Sequence, residues 1–325
     1  MTGSSKEFQP HRLLRNPHAM TIATAFWRRR FSRLPASVTR LFQTDPQTKV
    51  RGECHWHGDP RRRRTLVLLH GLEGSSESGY MLGTAERAWV AGYNVVRLNQ
   101  RNCGGTEQLT PTVYNSGMSG DIRAVTDELI EQDRLPEIYA AGFSMGGNLV
   151  LKMIGETGDG APAALRAVVA VAPALDLAAC ADAIAEPQNF LYEQHFVRQL
   201  KERIALKARL FPDLYKFDGL HKVHTVRQYD DAVTAPLCGF RDASDYYARC
   251  SAGQWLQQIA RPTLILAAED DPIVPFSSIE RAGIERNPKV KLVSTRYGGH
   301  CAFLSRDRDD RFWSEARIVE FCQQN

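Results

Sequence analysis

The stretch Gly142-Phe143-Ser144-Met145-Gly146 constrains this chain more than any other. A short apolar run, Ile138-Tyr139-Ala140-Ala141, leads into it. An apolar helical pattern follows, with Leu149-Val150 and Met153-Ile154 one turn apart. Glycines flanking one serine, between a strand signal and a helix signal, predict a turn too tight for neighbouring side chains. Such a turn lifts the Ser144 hydroxyl above the end of a sheet and aims the next backbone N–H groups at one spot. The same five-residue pattern also occurs in ordinary Gly/Ser turns. The strand-to-helix context sets this one apart.

The rest of the chain supplies a matching frame. From about residue 50 onward, short strand-like runs alternate with longer helical patterns, which predicts an α/β fold with a mostly parallel, doubly wound sheet. Strands are expected at Thr65–Leu69, Tyr93–Leu98, the run before Ser144, Ala167–Val171, Thr263–Ala268 and Val290–Thr295. Helical spacing covers Tyr80–Val90, Ser119–Glu131 with Ser119 placed as its cap, and Arg311–Cys322. Val38–Phe42 and Lys49–Cys54 predict an edge hairpin turned near Asp45-Pro46. Residues 178–259 break the rhythm: they are polar, helical in pattern, as over Phe190–Leu210, and free of strand signals. The expectation is a single α/β domain over residues 1–325 with 178–259 inserted as a helical lid.

Composition excludes several classes. The chain has 325 residues, 43% apolar and 24% charged, with a net charge of +4, as in globular proteins with a sizeable core. Arg28-Arg29-Arg30 and Arg61 to Arg64 carry much of the excess. The second cluster reads as a solvated turn, with a phosphate- or membrane-contacting patch as the alternative. No aromatics interleave with either cluster in the manner of a nucleic-acid reader, so no nucleic-acid partner is expected. The seven cysteines form no C-x-x-C pair, which points to reduced thiols and a cytoplasmic location. Residues 1–7 lack a signal-peptide pattern, and the longest apolar run, Ala167 to Leu175, is too short to cross a bilayer. No stable membrane insertion is expected, and the mild net charge favours a dispersed substrate over a lipid interface.

A serine hydroxyl is a weak nucleophile at neutral pH unless a base takes its proton and a carboxylate orients that base. Both partners stand in loops directly after predicted strands: Glu269-Asp270-Asp271-Pro272 after the 263–268 strand, and Tyr297-Gly298-Gly299-His300 after the 290–295 strand. Serine, acid and histidine thus all emerge at the carboxyl end of a parallel sheet, where ligands bind. His300 is one of nine histidines, and its place after two glycines singles it out. Asp270 and Asp271 compete as the acid, with Glu269 behind them. An oxyanion needs two backbone donors. Met145 supplies one, and Leu72, within His70-Gly71-Leu72-Glu73-Gly74, supplies the other; His70 itself reads as structural.

These pieces, with Asn102-Cys103-Gly104-Gly105, Gly142 to Gly147 and Asn16-Pro17-His18-Ala19-Met20-Thr21, resemble the YheT-like branch of the α/β-hydrolase superfamily. The likeness covers nearly the whole chain. It implies the order serine, acid, histidine, and the triad Ser144, Asp271 and His300. Cys301-Ala302-Phe303 departs from the Ile-Gly-Phe that relatives often carry, a change at the pocket wall that leaves the triad intact. His55-Trp56-His57, and His221 with His224 on one helical turn, lack a carboxylate or cysteine at ligand spacing, so no metal is expected. Gly155 to Gly160 follows a helix and so does not read as a phosphate cradle. The aromatics of the 178–259 segment read as packing, with a few able to line an acyl channel. The combined reading is a serine carboxylic-ester hydrolase for short- to medium-chain esters, needing no cofactor. Its substrate would be a small or lipid-like ester. The alternatives are thioester or amide hydrolysis or acyl transfer by the same triad, and a non-catalytic binding protein on this fold.

Overall fold

The computed structural model describes residues 7–216 and 219–325. Of the stretch 1–7, read above as lacking a signal-peptide pattern, residues 1–6 lie outside them. The strands are β1 (Val38–Asp45), β2 (Thr48–His55), β3 (Thr65–Leu69), β4 (Asn94–Leu98), β5 (Ile138–Phe143), β6 (Leu165–Val171), β7 (Thr263–Ala268) and β8 (Val290–Thr295). They form one sheet in the order β1-β2-β4-β3-β5-β6-β7-β8. The β1–β2 hairpin joins β4 antiparallel, and every other pairing is parallel. This is a mostly parallel, doubly wound α/β sheet with an antiparallel edge.

β3, β4, β5 and β7 are buried at every position, as parallel strands covered on both faces must be. Side chains alternate between the two faces. Leu66 and Leu68 of β3 enter one core cluster, while Val67 and Leu69 enter the other. The helices supply the two covers. α1 (Pro17–Phe26) and α2 (Gly79–Val90) lie on the Leu66 face. α3 (Ser119–Glu131) and α4 (Met145–Thr157) lie on the Val67 face. α1 starts where Asn16 accepts the Ala19 N–H at 3.0 Å and Pro17 takes the first helical position, both favourable N-terminal choices.

Between β6 and β7 run α5 (Leu177–Ile184), α6 (Phe190–Leu210), α7 (Val226–Tyr229) and α8 (Ala243–Cys250), with no strand among the described residues. Asp176, Thr225 and Asp242 cap α5, α7 and α8 with side-chain oxygens. α7 runs on into a π turn, Asp230–Thr234. Val197, Leu200 and Ile204 of α6, with Tyr246 and Tyr247 of α8, join the same core cluster as α3 and α4. α9 (Phe276–Arg281) follows β7, and α10 (Trp313–Gln324) closes the Leu66 face.

The expected cap of α3 needs correcting. Ser119 does not cap α3: Met118 occupies the cap position without a side-chain bond, and Ser119 is the first helical residue. Its hydroxyl donates to Glu156 of α4 at 2.5 Å, so a tertiary partner displaces the local one. All seven cysteines are free thiols. No helix among the described residues is long and apolar enough to cross a membrane.

Candidate active site

Ser144 sits between the last residue of β5 and the first of α4 with φ 53° and ψ −118°, a conformation side-chain-bearing residues rarely adopt. The flanking glycines make it possible. A methyl group at Gly142 would overlap the Gly146 carbonyl, and one at Gly146 would overlap the carbonyl oxygens of His70 and Leu69. The first turn of α4 therefore comes down directly on the end of β3. Backbone cannot yield here as a flexible side chain would. Gly146→Ala is accordingly expected to cost about 3 kcal/mol, read as a drop in unfolding free energy by denaturant titration.

The loops after β7 and β8 bring two further side chains to this turn. His300 Nε2 lies 2.9 Å from Ser144 Oγ, and its Nδ1 lies 2.9 Å from Asp271 Oδ2. With Nδ1–H donating to the carboxylate, Nε2 is free to accept the serine proton. The Ile273 and Val274 amides donate to Asp271 Oδ1 at 2.8 and 2.9 Å, which fixes the carboxylate. Asp270 turns elsewhere: its Oδ1 accepts the Gly299 N–H at 2.9 Å. Burial pushes the Asp270 carboxyl up, an effect the Gly299 bond partly offsets. Glu269 is exposed. The His300 N–H donates to Thr21 Oγ1 of α1 at 2.9 Å. Burial by itself lowers the His300 pKa, but the Asp271 charge overrides it and holds the imidazole well above its ordinary value.

The loop after β3 presses on the same spot. A methyl at Gly71 would sit 3.1 Å from Ser144 Cβ. Three amides of this loop are occupied: Gly71 N–H donates to Tyr80, Glu73 N–H to Tyr114 and Gly74 N–H to Gly71 O. Among the described residues, neither the Leu72 nor the Met145 amide has an acceptor within the protein. Both residues line the cavity into which Ser144 faces. His70 is fully buried, accepts the Gln100 N–H on Nε2 at 3.1 Å, and is pushed down to about 4 by burial. It stays neutral and holds the loop.

That cavity measures about 930 Å³ with its mouth. Leu177, Ala181 and Ile184 of α5, Ile273 and Val274 of the β7 loop, and Phe196, Leu200 and Ile204 of α6 give it apolar walls. Of the aromatics in the inserted segment, Phe196, Tyr229, Tyr246 and Tyr247 reach it, whereas Phe190 is exposed. Three charged groups also line it. Arg203 grips Glu73 through Nε and Nη2, the latter at 2.7 Å, and reaches Glu107 at 3.1 Å. Lys207 is held by the Glu107 and Thr110 carbonyls and is lowered to about 8 by burial. Asp230, in the π turn, accepts from Thr234 and Tyr247 at 2.6 Å each and is raised to about 6 by burial.

Sequence reading assigned no role to Arg203, Lys207 or Asp230. The signal was present in α6, where 196, 200, 203, 204 and 207 fall on one helical face. Thr21 was quoted within a motif but given no partner. Elsewhere, His57 stacks on Trp89 with centroids 3.7 Å apart, and His55 accepts from Arg97 at 3.2 Å. His221 lies in a 3-10 turn and His224 outside it, not on one helical turn as expected. Among the described residues no three His, Cys, Asp or Glu side chains gather at metal-binding spacing.

A serine on a strand-to-helix turn, at the carboxyl edge of this sheet and hydrogen-bonded to a carboxylate-held imidazole, is the arrangement of an α/β-hydrolase. The chain belongs to that family: the family model described as alpha/beta hydrolase fold matches residues 64–307. Its YheT-like character is equally plain, since YheT of Escherichia coli is 31% identical over 98% of this chain and 93% of its own length. The mouse phospholipase ABHD3 is 32% identical over 77% of this chain, which spans 60% of that protein. Among solved structures, the Pyrococcus furiosus esterase Pf2001 superposes with a TM-score of 0.61 at 16% identity, covering 99% of this chain and 98% of that one. The last likeness concerns the fold alone.

Proposed function

We propose that this chain is a serine carboxylic-ester hydrolase acting on short- to medium-chain esters. The observation that carries the reading is the unbroken hydrogen-bond chain from Ser144 through His300 to Asp271 beside a largely apolar cavity. Ser144 Oγ attacks the ester carbonyl while His300 Nε2 takes its proton. The carbonyl oxygen, now negative, rests on the Leu72 and Met145 amides. As the tetrahedral intermediate collapses, the C–O bond to the alcohol breaks and His300 returns the proton to the leaving oxygen. Water then attacks the acyl-Ser144 ester, gives its proton to Nε2, and the acid leaves as Ser144 recovers its hydrogen. The Asp271 carboxylate, against His300 Nδ1, orients the ring and stabilises the imidazolium. No metal or organic cofactor enters this scheme. Residues 178–259 act as the lid over the acyl chain. The seven free thiols favour a reducing compartment such as the cytoplasm.

A fluorophosphonate probe should label the native protein at Ser144 and leave Ser144→Ala unlabelled; labelling at another residue would overturn the assignment. Acyl length gives a second check. Each methylene entering the cavity contributes about 0.8 kcal/mol, so kcat/KM for p-nitrophenyl esters should rise roughly fourfold per carbon over the first few carbons, then fall. A rise sustained through palmitate would contradict the short- to medium-chain reading.

The pH profile follows from His300. Only the neutral imidazole accepts the serine proton, so kcat/KM should fall as pH drops through the His300 pKa. Asp271 raises that pKa, so the acid limb should centre above the free-imidazole value of about 6.5. Removing the carboxylate should move that limb downward. An acid limb that stays put in Asp271→Asn would mean that another group titrates.

A further inference from the structure

The mild net charge of this chain conceals a segregated stretch. Residues 8–37 contain six arginines and no acidic residue. α1 lies within it and carries no charged side chain. Met20 is its buried residue, whereas Ala19, Ile22, Ala25 and Phe26 are exposed. Those positions recur at helical spacing, so they form one apolar side of the helix. Phe26 is 81% exposed, and Leu13, just ahead of the helix, is 86% exposed. Arg12 and Arg15 precede α1, Arg28 and Arg30 follow it, and all four are exposed. None of the four pairs with a carboxylate among the described residues.

This face adjoins the active site. Thr21 of α1 accepts the His300 N–H. His18 stacks on Tyr192 of α6 with centroids 5.8 Å apart, and the two residues before that tyrosine, Phe190 and Leu191, are 58% and 71% exposed. An apolar helix face bracketed at both ends by unpaired arginines fits the boundary of an anionic lipid layer. There the apolar side chains reach acyl chains and the guanidinium groups meet phosphates. A second copy of the chain fits poorly, because a two-fold contact through this face would set arginines against arginines.

We propose that α1, with the first turn of α6, docks peripherally on an anionic lipid surface and so brings the rim of the Ser144 cavity to it. The docking does not depend on the esterase reading and is tested apart from it. Full-length protein is co-sedimented with phosphatidylcholine vesicles, with and without phosphatidylglycerol, at low and high salt. In parallel, the same samples are assayed on dispersed p-nitrophenyl butyrate.

The native chain should bind the phosphatidylglycerol vesicles, bind pure phosphatidylcholine far more weakly, and detach at high salt. Ile22→Asp with Phe26→Asp should lower vesicle binding at least about tenfold while leaving butyrate turnover unchanged. Replacing Arg12, Arg15, Arg28 and Arg30 by alanine should cost roughly fivefold per residue. These arginine variants lie outside the helix and keep the test decisive if the double variant misfolds. Equal binding to both vesicle types, binding untouched by the variants, or a dimer that Phe26→Asp dissolves would each overturn the proposal. Loss of butyrate turnover in the native chain with vesicle binding intact would overturn the esterase reading alone.

Discussion

Ser144→Ala is expected to lower kcat for ester hydrolysis by a factor on the order of 10⁶ without loosening the fold. The substitution keeps Cβ, so the backbone at φ 53° is no more strained than before. Among the described residues the deleted oxygen has one hydrogen-bond partner, His300 Nε2, so no buried backbone group is orphaned. His300→Ala should cost about as much, because an unactivated hydroxyl is nearly as inert as none. The double variant should then be little worse than either single one, as for residues that act as a unit. Steady-state kinetics on one p-nitrophenyl ester, beside denaturant unfolding of each variant, would measure this. Losses that simply multiply, or a Ser144→Ala protein that still turns over substrate, would remove the serine mechanism.

The adjacent carboxylates should behave very differently. In Asp271→Asn the Ile273 and Val274 amides, which donate to Oδ1, will hold the amide oxygen in that place. The new NH₂ group then occupies the Oδ2 position, 2.9 Å from His300 Nδ1, and presents a donor where a proton acceptor is needed. The imidazole must turn its Nδ1 lone pair toward it and carry its proton on Nε2, the wrong tautomer for a base. The expected loss in kcat is on the order of 10⁴. In Asp270→Asn a carbonyl oxygen remains to accept the Gly299 N–H, so the loss should stay under about tenfold. Measuring kcat for both variants decides the matter. A larger loss at Asp270 would reverse the assignment.

The two aspartates also mark the limit of sequence reading. They are neighbours in one loop before Pro272, and composition and spacing left both open; only a family resemblance pointed to Asp271. What separates them is the direction each side chain takes. That direction depends on where Ile273, Val274, Gly299 and His300 come to rest. The same holds at Ser119, where a local rule placed a helix cap and the arrival of Glu156 from α4 decided otherwise. Local preference lost to a tertiary hydrogen bond.

Strands β3, β7 and β8 and helix α6 were legible to the residue, because apolar periodicity and glycine punctuation are written in neighbouring positions. The elbow was legible for the same reason: Gly142 and Gly146 are required by atoms only a few residues away or on the adjoining strand. The role of α1 beneath the His300 loop was not, since Thr21 and His300 stand 279 positions apart. Nor was the charged lining of the cavity, where Arg203 and Glu73 meet across 130 positions. Neighbouring residues encode the alternation of strands and helices and the turn that exposes Ser144, because those rest on short-range sterics and on which faces must be buried. Long-range contacts set which carboxylate meets His300, which polar groups line the cavity, and which apolar helix face stays uncovered. Each of those depends on contacts between segments whose proximity no local pattern encodes.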